Sequence, residues 1–138
     1  MLHLAIITRD KKVFSDTVEE VYLPGVQGEM GVLEMHTALF TALKAGELRY
    51  RKDGEVVILA IGSGFAEITP KKVTVLTEMA IGEHDIDEAA VEEAIDRAEK
   101  ALAGIDIDAD HDPDQVARLE VALKQSIAQI NVKRRKNF

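Results

Sequence analysis

In the first part of the chain, up to about Glu83, apolar residues come in short runs and alternations broken by Gly and Pro. From about His84 onward they recur every three or four residues in an Ala- and Glu-rich background. The change of period divides the sequence into a β part over residues 1–84 and a helical part over 85–138, an α+β arrangement rather than βαβ alternation. Strands are predicted at Leu2–Thr8, Val18–Leu23, Ala38–Leu43, Glu47–Arg51, Val56–Ile61, Phe65–Ile68 and Lys72–Thr77. Asp53-Gly54, between Lys52 and Glu55, is a hairpin signal because both residues tolerate the positive φ that tight turns require. Thr69-Pro70-Lys71 turns the chain through the fixed φ of Pro. Short strands at this spacing predict an antiparallel sandwich or flattened barrel. Val56 to Ile61 is apolar on both faces and is expected to run through its middle.

The helical part opens with Asp85-Ile86-Asp87-Glu88, where an Asp caps free N–H groups and early acids suit the helix dipole. A helix is predicted from Ile86 to Ala103, with an inward stripe of Val91, Ala94 or Ile95, Ala98 and Leu102, ended by Gly104 as an αL cap. A second begins near Pro113 and carries Val116, Leu119, Leu123, Ile127 and Ile130. Together they predict an antiparallel hairpin. Its narrow, Ala-rich seam buries little area, so the hairpin is expected to be weakly held and able to move.

Composition narrows the function classes. The 138 residues suit one domain, or a small domain with an attachment. The absence of Cys excludes disulfides and thiolate metal ligands, and permits a reducing compartment. Met1 to Thr8 has neither the basic lead nor the cleavage site of a signal peptide, and no stretch nears the roughly 20 apolar residues of a membrane span, so the chain is expected to be soluble, at most beside a membrane. A net charge of -8 argues against nucleic acid, whose phosphates need clustered cations. Lys133, Arg134, Arg135 and Lys136 break the acidic trend: they either complement the last helix dipole or dock on an acidic surface.

Catalytic signals are weak. Gly62-Ser63-Gly64 lacks the spacing of a nucleophile elbow, Glu67 stands where a GxGxxG would end, and His3, His36, His84 and His111 form no zinc pair. The alternating Asp106, Asp108, Asp110, Asp112 and Asp114 imitate a calcium loop. His111 and Ala117 then occupy the positions that need Gly and a bidentate Glu, so no metal is expected.

The segment Gly28-Glu29-Met30-Gly31-Val32-Leu33-Glu34-Met35-His36-Thr37-Ala38-Leu39 stands out. Its two glycines are expected to give an abrupt turn, leaving His36 ahead of a strand on a segment too polar for core. Together with Gly46-Glu47-Leu48-Arg49, Gly62-Ser63-Gly64-Phe65-Ala66-Glu67-Ile68, Val73 to Leu76 and Asp85-Ile86-Asp87, in that order, it resembles the ε subunit of the bacterial and chloroplast F-type ATP synthase. Glu34 departs from the family's Pro.

The resemblance implies a ten-stranded β-sandwich (residues 1–84) followed by a regulatory two-helix hairpin (85–138). It implies a non-catalytic rotor subunit of the central stalk, without cofactor, that couples proton flow to ATP synthesis. Its partners would be the γ subunit and the c ring, with Glu29 and His36 facing the ring and Gly28 shaping the turn. The hairpin would brake ATP hydrolysis by extending into the catalytic α/β head, with Lys124, Lys133, Arg134, Arg135 and Lys136 as the inhibitory contact. Some relatives bind ATP on the folded hairpin. Asp87 and Arg97 match that site, but Ala90, Gln125 and Gln129 replace its arginines, so binding is expected to be weak. The membrane would be reached only through the complex, at the cytoplasmic face of a bacterial plasma membrane or the stromal face of a thylakoid. Two other classes remain open: a free-standing sandwich module with a helical dimerisation tail, and an Asp/His metal hydrolase.

Overall fold

The computed structural model describes residues 1–33, 35, 38–104 and 113–134. The strands are β1 (Leu2–Ile7), β2 (Lys12–Val18), β3 (Glu20–Gly25), β4 (Gly28–Leu33), β5 (Leu39–Leu43), β6 (Gly46–Lys52), β7 (Glu55–Ile61), β8 (Gly64–Ile68), β9 (Lys72–Thr77) and β10 (Ala80–Gly82). A 3-10 turn, Glu83–Asp85, leads to α1 (Glu88–Ala103) and α2 (Pro113–Arg134).

The strands run β10-β7-β6-β3-β5-β8-β9-β1-β2, with β4 on the other side of β3. Only the pair Gly25↔Leu43 joins β3 to β5, so the sheet folds there into two five-stranded layers. Period-2 alternation turns one face of each layer inward. Leu2, Leu4 and Ile6 of one layer meet Val21, Leu23, Leu48 and Ile61 of the other in a core to which, among the described residues, no helix residue contributes.

Both predicted turns form. Asp53 (φ 53°) and Gly54 (φ 80°) make the two-residue connection between β6 and β7. Thr69 N donates to Lys72 O at 2.8 Å across the Pro70 turn. The single strand expected from Val18 to Leu23 is broken at Glu19, and β2, β4 and β10 were not predicted. The all-antiparallel expectation fails at β1, which pairs with β9 in parallel. Gly28 to Gly31 is a strand and not a turn: the chain reverses at Val26-Gln27, where Gly28 has φ 133°. Val56 and Val57 are exposed, and β7 neighbours the edge strand β10 rather than running centrally. Its second half, Leu59 to Ile61, is buried because the core covers one face and α2 lies over the other.

Asp87 caps α1, its carboxylate accepting from Ala90 N at 3.1 Å, so the helix begins at Glu88 rather than Ile86. Gly104 closes it in the right-handed region (φ -82°, ψ -5°), not as an αL cap. α2 faces the sheet on one side and α1 on the other. Two-sided contact displaces the expected stripe: Ala128, Ile130 and Val132 are buried, Val116, Leu119 and Leu123 only partly so, and Ile127 is exposed. The helix residues Val91, Ala128, Ile130 and Val132 gather with Ala60 and Ile86 into a second, smaller cluster.

Candidate functional site

Three surfaces hold the chemistry. The first lies on β5, β8 and β9. Register pairs Ala42 with Phe65 and Phe65 with Leu76, so these side chains point outward together while Leu43, Ala66 and Val75 point into the core. Phe40 stacks on Phe65 with centroids 5.5 Å apart and planes 18° from parallel. Phe40 is 64% exposed, Phe65 49% and Leu76 48%, an apolar face left open among the described residues. Clefts of 460 and 480 Å³ flank the stack. No site candidate from the sequence falls on these residues; strand alternation, which puts Phe40 out of phase with Leu43 and Phe65 with Ala66, is the signal that sets them apart.

The second surface is the outer face of β4, β3 and β6. Gly28 makes the turn into β4, and Glu29 is the first side chain beyond it. The Glu29 carboxylate accepts from Arg49 Nη2, and Arg49 lies over the Tyr22 ring, 4.6 Å from its centroid. In the next row Arg51 pairs with Glu20 at 3.0 Å. His36, named beside Glu29 from the sequence, lies outside the described residues, as does Glu34.

The third surface is the open end of the hairpin. Arg134 spans from α2 to α1, donating from Nε to Glu88 Oε1 at 2.9 Å and from Nη2 to Glu92. The hydrogen bond to Glu88, more than any other cause, holds the guanidinium above its ordinary pKa. Lys133 Nζ donates to the Glu83 carbonyl at 3.3 Å, and Gln125 reaches Glu78 at 3.3 Å. Two of the basic residues singled out in the sequence therefore serve the folded hairpin. Lys124 lines a 720 Å³ cleft between α2 and the β5–β6 connection, together with Lys44, Asn131 and Arg134 itself. Arg135 and Lys136 lie outside the described residues.

Asp87 and Arg97 do not share one polar constellation: the Asp87 carboxylate is engaged in capping α1, and Arg97 is exposed further along that helix. Among the described residues no three His, Asp or Glu side chains gather as a metal site would need; 106–112 of the aspartate-rich linker lie outside them. No helix among the described residues is long and apolar enough to cross a membrane.

Residues 1–83 match the family model for the ATP synthase delta/epsilon chain, beta-sandwich domain, and residues 84–134 that for its long alpha-helix domain. An ATP synthase epsilon chain from Nitratidesulfovibrio vulgaris is 42% identical over 132 residues, 96% of this chain and 95% of that one. Another from Herpetosiphon aurantiacus is 37% identical over 95% of this chain and 93% of its own. Among solved structures, a chain of the Euglena gracilis mitochondrial ATP synthase (OSCP/F1/c-ring) superposes with a TM-score of 0.76 at 22% identity, covering 92% of this chain and 78% of that one, a likeness of fold. With the sandwich, the hairpin and the relatives each matched over nearly their whole length, the chain belongs to the ATP synthase epsilon-chain family.

Proposed function

We propose that this chain is a non-catalytic rotor subunit of the F-type proton-translocating ATP synthase, docked on the γ subunit and the c ring, whose hairpin brakes ATP hydrolysis. The observation that carries the reading is the Phe40–Phe65 stack. Two large aromatic side chains exposed side by side on a sheet face are what a permanent protein partner covers. In this reading γ covers that face. The ring meets the β3–β4 end through Glu29; His36, outside the described residues, is the second ring-facing candidate. The sandwich (1–84) is the coupling part and the hairpin (85–138) the regulatory one.

Exposed acids face the basic groups of a ring loop, where they set register and on-rate more than affinity. The basic end of α2 meets acidic segments of the catalytic head only when Lys133 and Arg134 have left Glu83, Glu88 and Glu92, and Lys124, mid-way along the same helix, joins that contact. Nucleotide binding at Asp87 and Arg97 is weak, because neutral side chains stand at 90, 125 and 129. The chain works at the membrane surface through the complex, on the cytoplasmic face in a bacterial host.

Replacing both aromatics, Phe40→Asp with Phe65→Asp, tests the docking. Their burial against γ contributes on the order of 3 to 5 kcal/mol, so the double variant, folded by circular dichroism, should no longer co-purify with γ. Undiminished co-purification overturns the assignment of this face.

A further inference from the structure

The second glycine of the segment, Gly31, is left unexplained by the turn, which Gly28 makes. Gly31 lies opposite Tyr22 in the β4–β3 ladder, and Tyr22 lies opposite Arg49 in the β3–β6 ladder. All three, with Glu29, share the outward face, since Met30, Val21 and Leu48 alternate with them toward the core. A Cβ on Gly31 would stand 3.1 Å from Tyr22 Cε1 and 3.4 Å from Cδ1, so the ring lies flat over the bare backbone. The guanidinium of Arg49 rests on that ring, 4.6 Å from its centroid. From there it reaches past β3 to Glu29 Oε1, while its Nε stands 4.0 Å from Glu47 Oε1. The Arg49 side chain is 25% exposed and that of Glu29 58%: the cation is seated and the carboxylate stands out from the surface.

We propose that Arg49, seated on Tyr22 over Gly31, is a positioning residue that holds the Glu29 carboxylate in the orientation in which it meets a basic group of the ring. The inference rests on the reading of Glu29 as the ring-facing acid. A free Glu on a surface strand samples several rotamers, and ordering it on docking costs affinity. Arg49 takes one oxygen, and a carboxylate has about four lone-pair sites, so the second oxygen is left to accept from an incoming cation. Only an arginine offers both the plane that stacks and the fork that points the charge. Gly31 is then favoured for what it lacks: a Cβ there forces the ring to give by a few tenths of an ångström and shifts the arginine seated on it.

The test uses the assembled catalytic head with its stalk, titrated onto membrane vesicles that carry the ring and have been stripped of their own heads. Half-saturating concentration is measured for Glu29→Gln, Arg49→Gln, the double variant, Arg49→Lys and Gly31→Ala. Preorganising one such side chain is worth roughly 3- to 10-fold in affinity. Arg49→Gln should weaken association by that factor. The double variant should bind no worse than Glu29→Gln alone, Arg49→Lys should fall between wild type and Arg49→Gln, and Gly31→Ala should copy Arg49→Gln. If Glu29→Gln weakens binding while Arg49→Gln leaves it unchanged, or adds its full factor in the double variant, the positioning role is overturned and the ring-facing acid stands. If Glu29→Gln itself leaves association unchanged, the reading of Glu29 fails and the inference with it.

Discussion

At Gly64 an added Cβ would stand 1.9 Å from the Leu76 carbonyl oxygen and 2.8 Å from Thr77 Cα, both backbone atoms that a side-chain rotation cannot move. Gly64→Ala should therefore push β8 off β9 and lower stability by about 3 kcal/mol, read as a shift in the urea midpoint. Gly82→Ala is the control: its φ is -71° and the nearest atom to the new Cβ is 3.7 Å away, so the change should stay within ~0.5 kcal/mol. A second expectation concerns acid. The hydrogen bond from Lys52, helped by the Thr17 amide, holds the Asp16 carboxyl below its ordinary 3.8. A folded-state pKa below the unfolded one means the pair stabilises fully above pH 3.8 and ceases to as pH falls through the lowered value. Lys52 is raised above its ordinary 10.5 by the same bond, so that contribution also fades at the alkaline end. Asp16→Asn should therefore lower stability slightly at neutral pH, the pair being exposed, and converge with the wild type once pH has fallen through the lowered value. Asp53-Gly54 was readable in the sequence because its φ requirement is local, whereas the need for glycine at 31 and 64 comes from side chains and backbone on other strands.

The hairpin shows the same division between local and distant causes. Its two helices and the capping by Asp87 follow from periodicity and one side chain. Which face of α2 turns inward depends on a sheet the periodicity does not contain, so Ile127 was placed inside and Ala128 overlooked. β2 and β4 escaped for related reasons: β2 carries Lys12, Ser15 and Asp16 among its apolar residues, and β4 holds two glycines. At the open end, Arg134 is shared by Glu88 and Glu92, and it is also a candidate contact for the head. Glu88→Gln with Glu92→Gln removes the folded-state partners without touching Arg134. A ligand or variant shifts a two-state element only through a difference between its states, so this variant should enrich the extended hairpin severalfold, by energy transfer between labels on the helices and the sandwich. The effect should shrink as salt rises, because exposed charges are screened over about 10 Å at 0.1 M.

For the whole molecule, the separation of the two clusters sets what each part does alone. Among the described residues no helix residue belongs to the larger core, so a chain ending at residue 84 should fold as an all-β protein, with Ile58, Ala60 and Ile81 newly exposed. A disordered circular dichroism spectrum would contradict this. In the assembled enzyme, removing Gly104 to Phe138 should raise ATP hydrolysis while leaving proton coupling largely intact, since the Phe40–Phe65 face and Glu29 remain on the sandwich. Hydrolysis assays on membranes with assembly confirmed decide it. The sandwich as a class was legible from short strands and turn signals, and so was the hairpin. The outer-face row of Glu29, Arg49 and Tyr22 was not, because it is assembled from three strands whose order only the fold reveals. The parallel pairing of β1 with β9 carries a consequence for synthesis. β1 is followed directly in the chain by its partner β2, but its other edge waits until Lys72 to Leu76 have been made. Until then a strand holding Leu2, Leu4 and Ile6 has one edge open to pairing with another chain, so the nascent protein is exposed to aggregation over that interval.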